Sequence, residues 1–160
     1  MKALSFTQPW ATLLATGHKR IETRSWGTAY RGELAIQAAK RFPADCKDLC
    51  YGEPFKSCLG MPADTELLWR PPEPAWVKEA KEIVDNLPRG FVIGQGRLVD
   101  CIPANAADLS ARFPRTFSVT EEMFGNYGPG RFAWIFEDLE MFFEFVPAKG
   151  ALGLWEWRHE

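Results

Sequence analysis

Histidine is almost missing from this chain: of 160 residues only His18 and His159 carry an imidazole. A multi-histidine metal centre is thereby excluded, and His18, directly after Gly17 at an expected helix end, sits where a cation is favoured anyway. Cysteine is sparse too. Cys46, Cys50, Cys58 and Cys101 include no C-x-x-C pair. Cys46 and Cys50 stand one helical turn apart, but a structural zinc site brings a second close pair, which is lacking. Neither metal nor cofactor is expected, and reduced thiols fit a reducing compartment. No apolar run approaches the roughly 18 residues of a membrane span. The opening MKALSFTQPW holds one Lys and no sustained apolar stretch, so it does not read as a secretory signal; a cytoplasmic location is the expectation. G-x-S-x-G, G-K-[ST] and H-E-x-x-H are absent. The net charge of −2 excludes a uniformly basic surface for coating polyanions.

What is present is a normal apolar share of 46% and a charged share of 25%, enough for one domain over residues 1–160 without staples. Aromatics are abundant, with seven Trp and twelve Phe crowding toward the end at Phe132, Trp134, Phe136, Phe142, Phe143, Phe145, Trp155 and Trp157. Residues of this kind pack well on pleated surfaces, and a barrel core is the simplest use for them. Charge is unevenly spread. Residues 1–41 hold seven basic side chains against Glu22 and Glu33, a local +5, so the remainder carries −7. That asymmetry suits a local anion site; a solvated face with acidic neighbours is the plainer alternative.

Lys2 to Phe6 reads as a strand. Thr7 is a plausible N-cap, Pro9 fits the first turn of a helix, and Trp10, Leu13 and Leu14 follow at i, i+3, i+4 with Gly17 as the left-handed stop. A strand runs on to Trp26, with Arg20, Glu22, Arg24 and Trp26 on one face and Ile21, Thr23 and Ser25 on the other. Glu33 to Ala39 is the next strand, facing Leu34, Ile36 and Ala38 inward, and Lys40 emerges at its end toward the barrel mouth. Residues of about 41–90 form a loop and helix insertion. Helices are expected at Pro43 to Tyr51 and over Trp76, Val77, Ala80, Ile83, Val84 and Leu87, with loops around Pro54, Pro62, Pro71, Pro72 and Pro74. Phe91 to Ile102 is a strand whose Gly94 and Gly96 mark bulges or tight curvature. A long strand or hairpin over Arg131 to Phe145, with Phe132, Trp134 and Phe136 on one face, and a last strand over Gly153 to Arg158 complete an α+β chain built on a small β-barrel.

Chemistry concentrates in Gly17-His18-Lys19-Arg20-Ile21-Glu22-Thr23-Arg24. This run resembles the G-x-K-x-x-E-x-R signature of the ASCH (activating signal cointegrator homology) family. Ser5-Phe6-Thr7-Gln8-Pro9-Trp10 resembles that family's strand-to-helix opening, Tyr30 to Lys40 its second strand, and Lys149 to Trp155 its closing strand. The resemblance implies a PUA-like β-barrel with the early helix across a cleft, and a part in binding RNA or another nucleic acid. It places Lys19, Glu22 and Arg24 in the cleft and Lys40 at its edge. Some relatives are enzymes, a ribonuclease and a branch that deacylates N4-acylated cytidine with Lys, Thr and Glu; that branch has Thr where this chain has Glu22.

Physical chemistry runs alongside. Lys19 and Arg24 suit phosphate, the latter in bidentate fashion. Glu22 between cations suits the amino group of a base, and Trp10, Trp26 or Tyr30 suit stacking on an unpaired one. A salt-bridge ladder on a solvated strand explains the same charges without function. The leading expectation is therefore a binder of single-stranded RNA or a modified nucleotide through Gln8, Trp10, Lys19, Glu22, Arg24, Trp26, Tyr30, Arg31 and Lys40. The alternatives are a hydrolase of the same fold, a ribonuclease or N4-acylcytidine amidohydrolase with Lys19 and Glu22 catalytic, and an adaptor using the proline-rich insertion.

Overall fold

The computed structural model describes residues 1–61 and 75–158. Apolar alternation makes Lys2–Phe6 a strand, β1, whose Ala3, Leu4 and Phe6 are buried. Helix α1, Trp10–Ala15, follows, burying Ala11, Leu13, Leu14 and Ala15. Its start differs from expectation. Pro9 is the cap residue and Thr7 gives no side-chain cap; instead the Gln8 Oε1 accepts from the Thr12 amide at 3.1 Å. Gln8 has the longer reach, and burial holds it in place. Gly17 stops the helix at φ +78, in the left-handed region.

Strand β2 is only Ile21–Arg24. His18 to Arg20 lie outside it because the Lys19 amide is tied to Leu13 O at 3.0 Å. Strand β3 is Gly32–Ala38. The insertion supplies α2 (Ala44–Leu49), α3 (Phe55–Cys58) and α4 (Ala75–Asp85), with no strand among its described residues. These helices bury a cluster of their own, Cys50, Met61, Ala80, Val84 and Leu87. The loops expected around Pro62, Pro71, Pro72 and Pro74 lie outside the described residues.

The aromatic-rich half builds β4 (Phe91–Pro103), α5 (Ala106–Arg112), α6 (Val119–Phe124), β5 (Phe132–Pro147) and a short β6 (Trp155–Glu156). The two helices between β4 and β5 have no counterpart in the sequence pattern. Each is announced by a side-chain cap, Asn105 accepting from the Asp108 amide and Ser118 from that of Glu121. The register of β4 against β5 shifts near Val92, Gln95 and Leu98, and so bends where the glycines stand. At Gly94 a Cβ would lie 2.4 Å from Glu140 O, so only glycine lets β5 come this close.

The six strands form one mixed sheet in the order β2-β5-β4-β3-β1-β6, with β1 and β3 parallel and every other pairing antiparallel. A closed barrel was expected, but the sheet is not closed into one. Strand β2 ends the ladder on one side and β6 on the other. The sheet nevertheless curls, and Arg24 of β2 reaches across the seam to donate from Nη2 to Ser5 O of β1 at 2.7 Å. Side chains of Lys19, Glu121 and Arg131 take the outward main-chain groups of β2, so no second ladder forms there and a side chain spans the gap. Trp134 and Phe136 fill the concave side with Leu4, Phe6, Leu14 and Ile36, while Ala133 and Ile135 pack with Ile21, Ile102 and Leu109 on the other. Both faces of β5 are thus buried here, where one had been anticipated. No described helix is long and apolar enough to cross a membrane.

Candidate functional site

The seam between β1 and β2 opens into a cleft of two adjoining lobes, of about 320 and 350 Å³, which share Trp10, Glu22, Thr23 and Arg131. Several segments position its walls, among them the end of α6 and Arg131 before β5. Helix α1 brings Trp10, whose indole donates to Phe124 O at 2.7 Å and is thereby locked to α6. Strand β2 brings Glu22, Thr23 and Arg24. The insertion brings Leu49 and Phe55, the latter edge-on to both Trp10 and Phe124. The outer lobe adds Ser5, Thr7, Ser25 and Trp26.

Beneath the cleft is a buried charge network. Lys19 is 1% exposed; its Nζ donates to Ile21 O and lies 3.7 Å from Glu22 and 3.8 Å from Glu121. Glu121, 3% exposed, accepts from the amides of Arg20 and Ile21 at 2.9 Å each. Burial pushes its carboxyl above the ordinary carboxylate value, outweighing Lys19 and the two amides, which favour the charged form. Since Phe136 N donates to Arg20 O on the β5 side, the main-chain groups of Ile21 and Thr23 point away from β5. Side chains meet them: Lys19 on Ile21 O, Glu121 on Ile21 N and Arg131 on Thr23 O at 2.8 Å.

Nearer the solvent stand Glu22, 15% exposed, and Arg24, 20% exposed, with Arg24 Nε 3.4 Å from Glu22 Oε1. The Arg24 guanidinium lies over the rings of Phe6 and Trp26, at 5.1 and 6.0 Å from their centroids. Burial, with the Arg131 charge, lowers the affinity of Arg24 for its proton against the pull of Glu22; it remains a cation at any physiological pH. The Nε atoms of both Arg24 and Arg131 are buried without a hydrogen-bond partner. Two guanidiniums therefore converge on one concavity, with Glu22 the nearest acid on its wall and Glu121 already committed below it.

Of the residues expected in a site, Trp10, Glu22, Arg24 and Trp26 line this cleft, and Lys19 lies under its floor. Gln8 does not join them; it is buried and donates to Pro88 O at 2.7 Å. Tyr30 donates its hydroxyl to Glu33 O, and Arg31 is paired with Asp100 at 2.8 Å, so both tie down the turn before β3. Lys40 lines a different cavity. Arg131, Thr23, Asn126 and Glu121 were not anticipated. Thr23 was placed on the opposite strand face, yet it reaches the cleft because β2 is the sheet's edge; its Oγ1 accepts from Asn126 N at 2.9 Å. The Ser118-x-x-Glu121 spacing is a capping-box signal that would have located Glu121 at a helix start, though not its partner. No group of metal-ligating side chains occurs among the described residues. Cys50, the buried C-cap of α2, donates to Cys46 O at 3.3 Å, and burial pushes its thiol up to about 12.

The ASCH domain profile matches residues 4–144. Activating signal cointegrator 1 of Homo sapiens and of Mus musculus are each 54% identical to this chain over 41 residues, 26% of the chain and 7% of either relative. The match therefore spans a small part of those proteins. Among solved structures, the ASCH protein of Zymomonas mobilis aligns over 98% of this chain and 87% of its own, at 14% identity and a TM-score of 0.50. A point variant of it aligns over 98% and 89%, at 12% identity and 0.51. Likeness at that identity concerns the fold.

Proposed function

Because the chain belongs to the ASCH domain family, a family generally tied to nucleic acid, we propose that the cleft between β1 and β2 binds single-stranded RNA or a modified nucleotide. The observation that carries this reading is the convergence of Arg24 and Arg131, each with a buried Nε lacking a hydrogen-bond partner, in one cavity walled by Trp10 and Trp26. Two like charges half-removed from water repel each other, and a phosphate placed between them relieves that repulsion. The indoles offer flat apolar surface to an unpaired base. Glu22 is placed to accept from a base amino group, as acidic side chains do from cytosine.

A hydrolase with Lys19 as base or nucleophile draws less support. Its amine is enclosed by two carboxylates and a carbonyl and has no open path to a substrate. Titrating labelled single-stranded RNA by fluorescence anisotropy tests the binding reading. Arg24→Ala with Arg131→Ala is expected to weaken affinity at least tenfold. It is also expected to flatten the log–log salt slope by about 0.7 for each phosphate no longer neutralised. Arg24→Lys, which keeps the charge but not the planar fork, should fall between. Unchanged affinity in a double variant that still melts cooperatively would refute the assignment.

A further inference from the structure

On the far side of Ser5 from the cleft lies a second cavity, of about 900 Å³, inside the range that small-molecule sites span. Ser5 belongs to both. Its carbonyl accepts from Arg24 on the cleft side, while its hydroxyl donates to Ala151 O at 3.3 Å on the other. The rim carries Lys40 and Arg41, which follow β3, and Lys149, which follows β5; all three are exposed, and none is ion-paired among the described residues. No carboxylate is found among the described lining residues, in contrast to the cleft with its Glu22. Between the cations the wall is apolar, formed by Pro147, Ala148 and Leu152, with Leu152 99% exposed.

The floor is built for close approach. Gln37, 1% exposed, donates both amide hydrogens, to Ala38 O at 2.9 Å and Ala148 O at 3.2 Å, which leaves its Oε1 buried and unpartnered. Gly150 lies over that oxygen: a Cβ there would come within 2.4 Å of it and 2.5 Å of Ser5 Oγ. Unpaired cations around an apolar wall suit an anionic ligand with a flat apolar part better than a free anion, which would leave Leu152 in water.

We propose that this cavity is a second nucleotide subsite. A single RNA strand held in the cleft crosses the Ser5 ridge, sets its phosphates against Lys40, Arg41 and Lys149, and lays a base along Leu152 and Pro147. The proposal rests on the cleft reading, since the cleft supplies the first nucleotide. The preferred ligand is then an oligonucleotide, and a mononucleotide fills only part of the surface.

The test titrates the whole chain with a labelled oligocytidylate of about eight nucleotides, comparing Lys40→Glu with Lys149→Glu against Arg24→Ala with Arg131→Ala. Lys40 and Lys149 are exposed, so their substitution spares the core. The expected result is at least a tenfold loss in the Lys40/Lys149 variant and a salt slope flatter by about 1.4. Wild-type affinity and slope in that variant, with binding lost in the Arg24/Arg131 variant, would overturn the second subsite and leave the cleft standing. Loss in the Lys40/Lys149 variant alone would refute the cleft and overturn with it a strand running from the cleft into the second cavity. No binding by the wild-type chain would overturn both.

Discussion

At the scale of single residues, Lys19 shows how far a motif can be read. Its nearness to Glu22 was legible from spacing; its burial was not, because the second carboxylate beside it comes from Glu121, a hundred residues downstream. Local sequence gives the charge of a side chain, and only the packed chain gives its solvent. Removing one member of a buried ion network leaves the others uncompensated, so Lys19→Ala should cost about 3–5 kcal/mol in urea unfolding, and Lys19→Met less because the stem still packs. Glu121 adds a dependence on pH. Its carboxyl is raised above the ordinary 4.5, so the native state holds that proton more tightly than the unfolded chain does. The stability it contributes is full below 4.5 and is lost as pH climbs through the raised value. Glu121→Gln does not titrate there. Wild-type stability should therefore fall relative to Glu121→Gln as pH is raised across that window, which urea midpoints in a pH series would measure.

At the scale of elements, the periodic ones were readable: α1 from Trp10, Leu13 and Leu14, and β3 from Leu34, Ile36 and Ala38. Helices α5 and α6 were not, since six or seven residues hold too few turns for a hydrophobic period to stand out. Their capping residues were the usable trace. Helix α6 carries both Glu121 and the carbonyl that locks Trp10, so its start matters to the cleft. Ser118→Ala should cost about 1 kcal/mol and, through Phe124, loosen Trp10, visible as altered indole fluorescence beside a lowered melting temperature. The insertion has a role that composition did not show: Leu49 and Phe55 close one wall of the cleft.

At the scale of the whole molecule, the expected barrel comes out as one six-stranded sheet, irregular in register along β4, whose ladder ends at β2 and β6 instead of closing. Alternation and bulge glycines signal that a sheet bends, but closure depends on the terminal strands meeting through their main chains, and the outward groups of β2 are taken by side chains. The +5 of the first 41 residues was legible, and part of it does gather at the seam. Arg131, which completes that gathering, was hidden because its position before β5 follows no local pattern. The same seam bears on how this protein behaves at high concentration. A terminal strand with vacant amides and carbonyls is a template for fibrils, and short strands with charged neighbours are a known defence. Here Lys19, Glu121 and Arg131 occupy those vacancies on β2. Arg131→Ala should then increase self-association, seen as rising light scattering on storage: colloidal solubility and ligand recognition would draw on the same guanidinium.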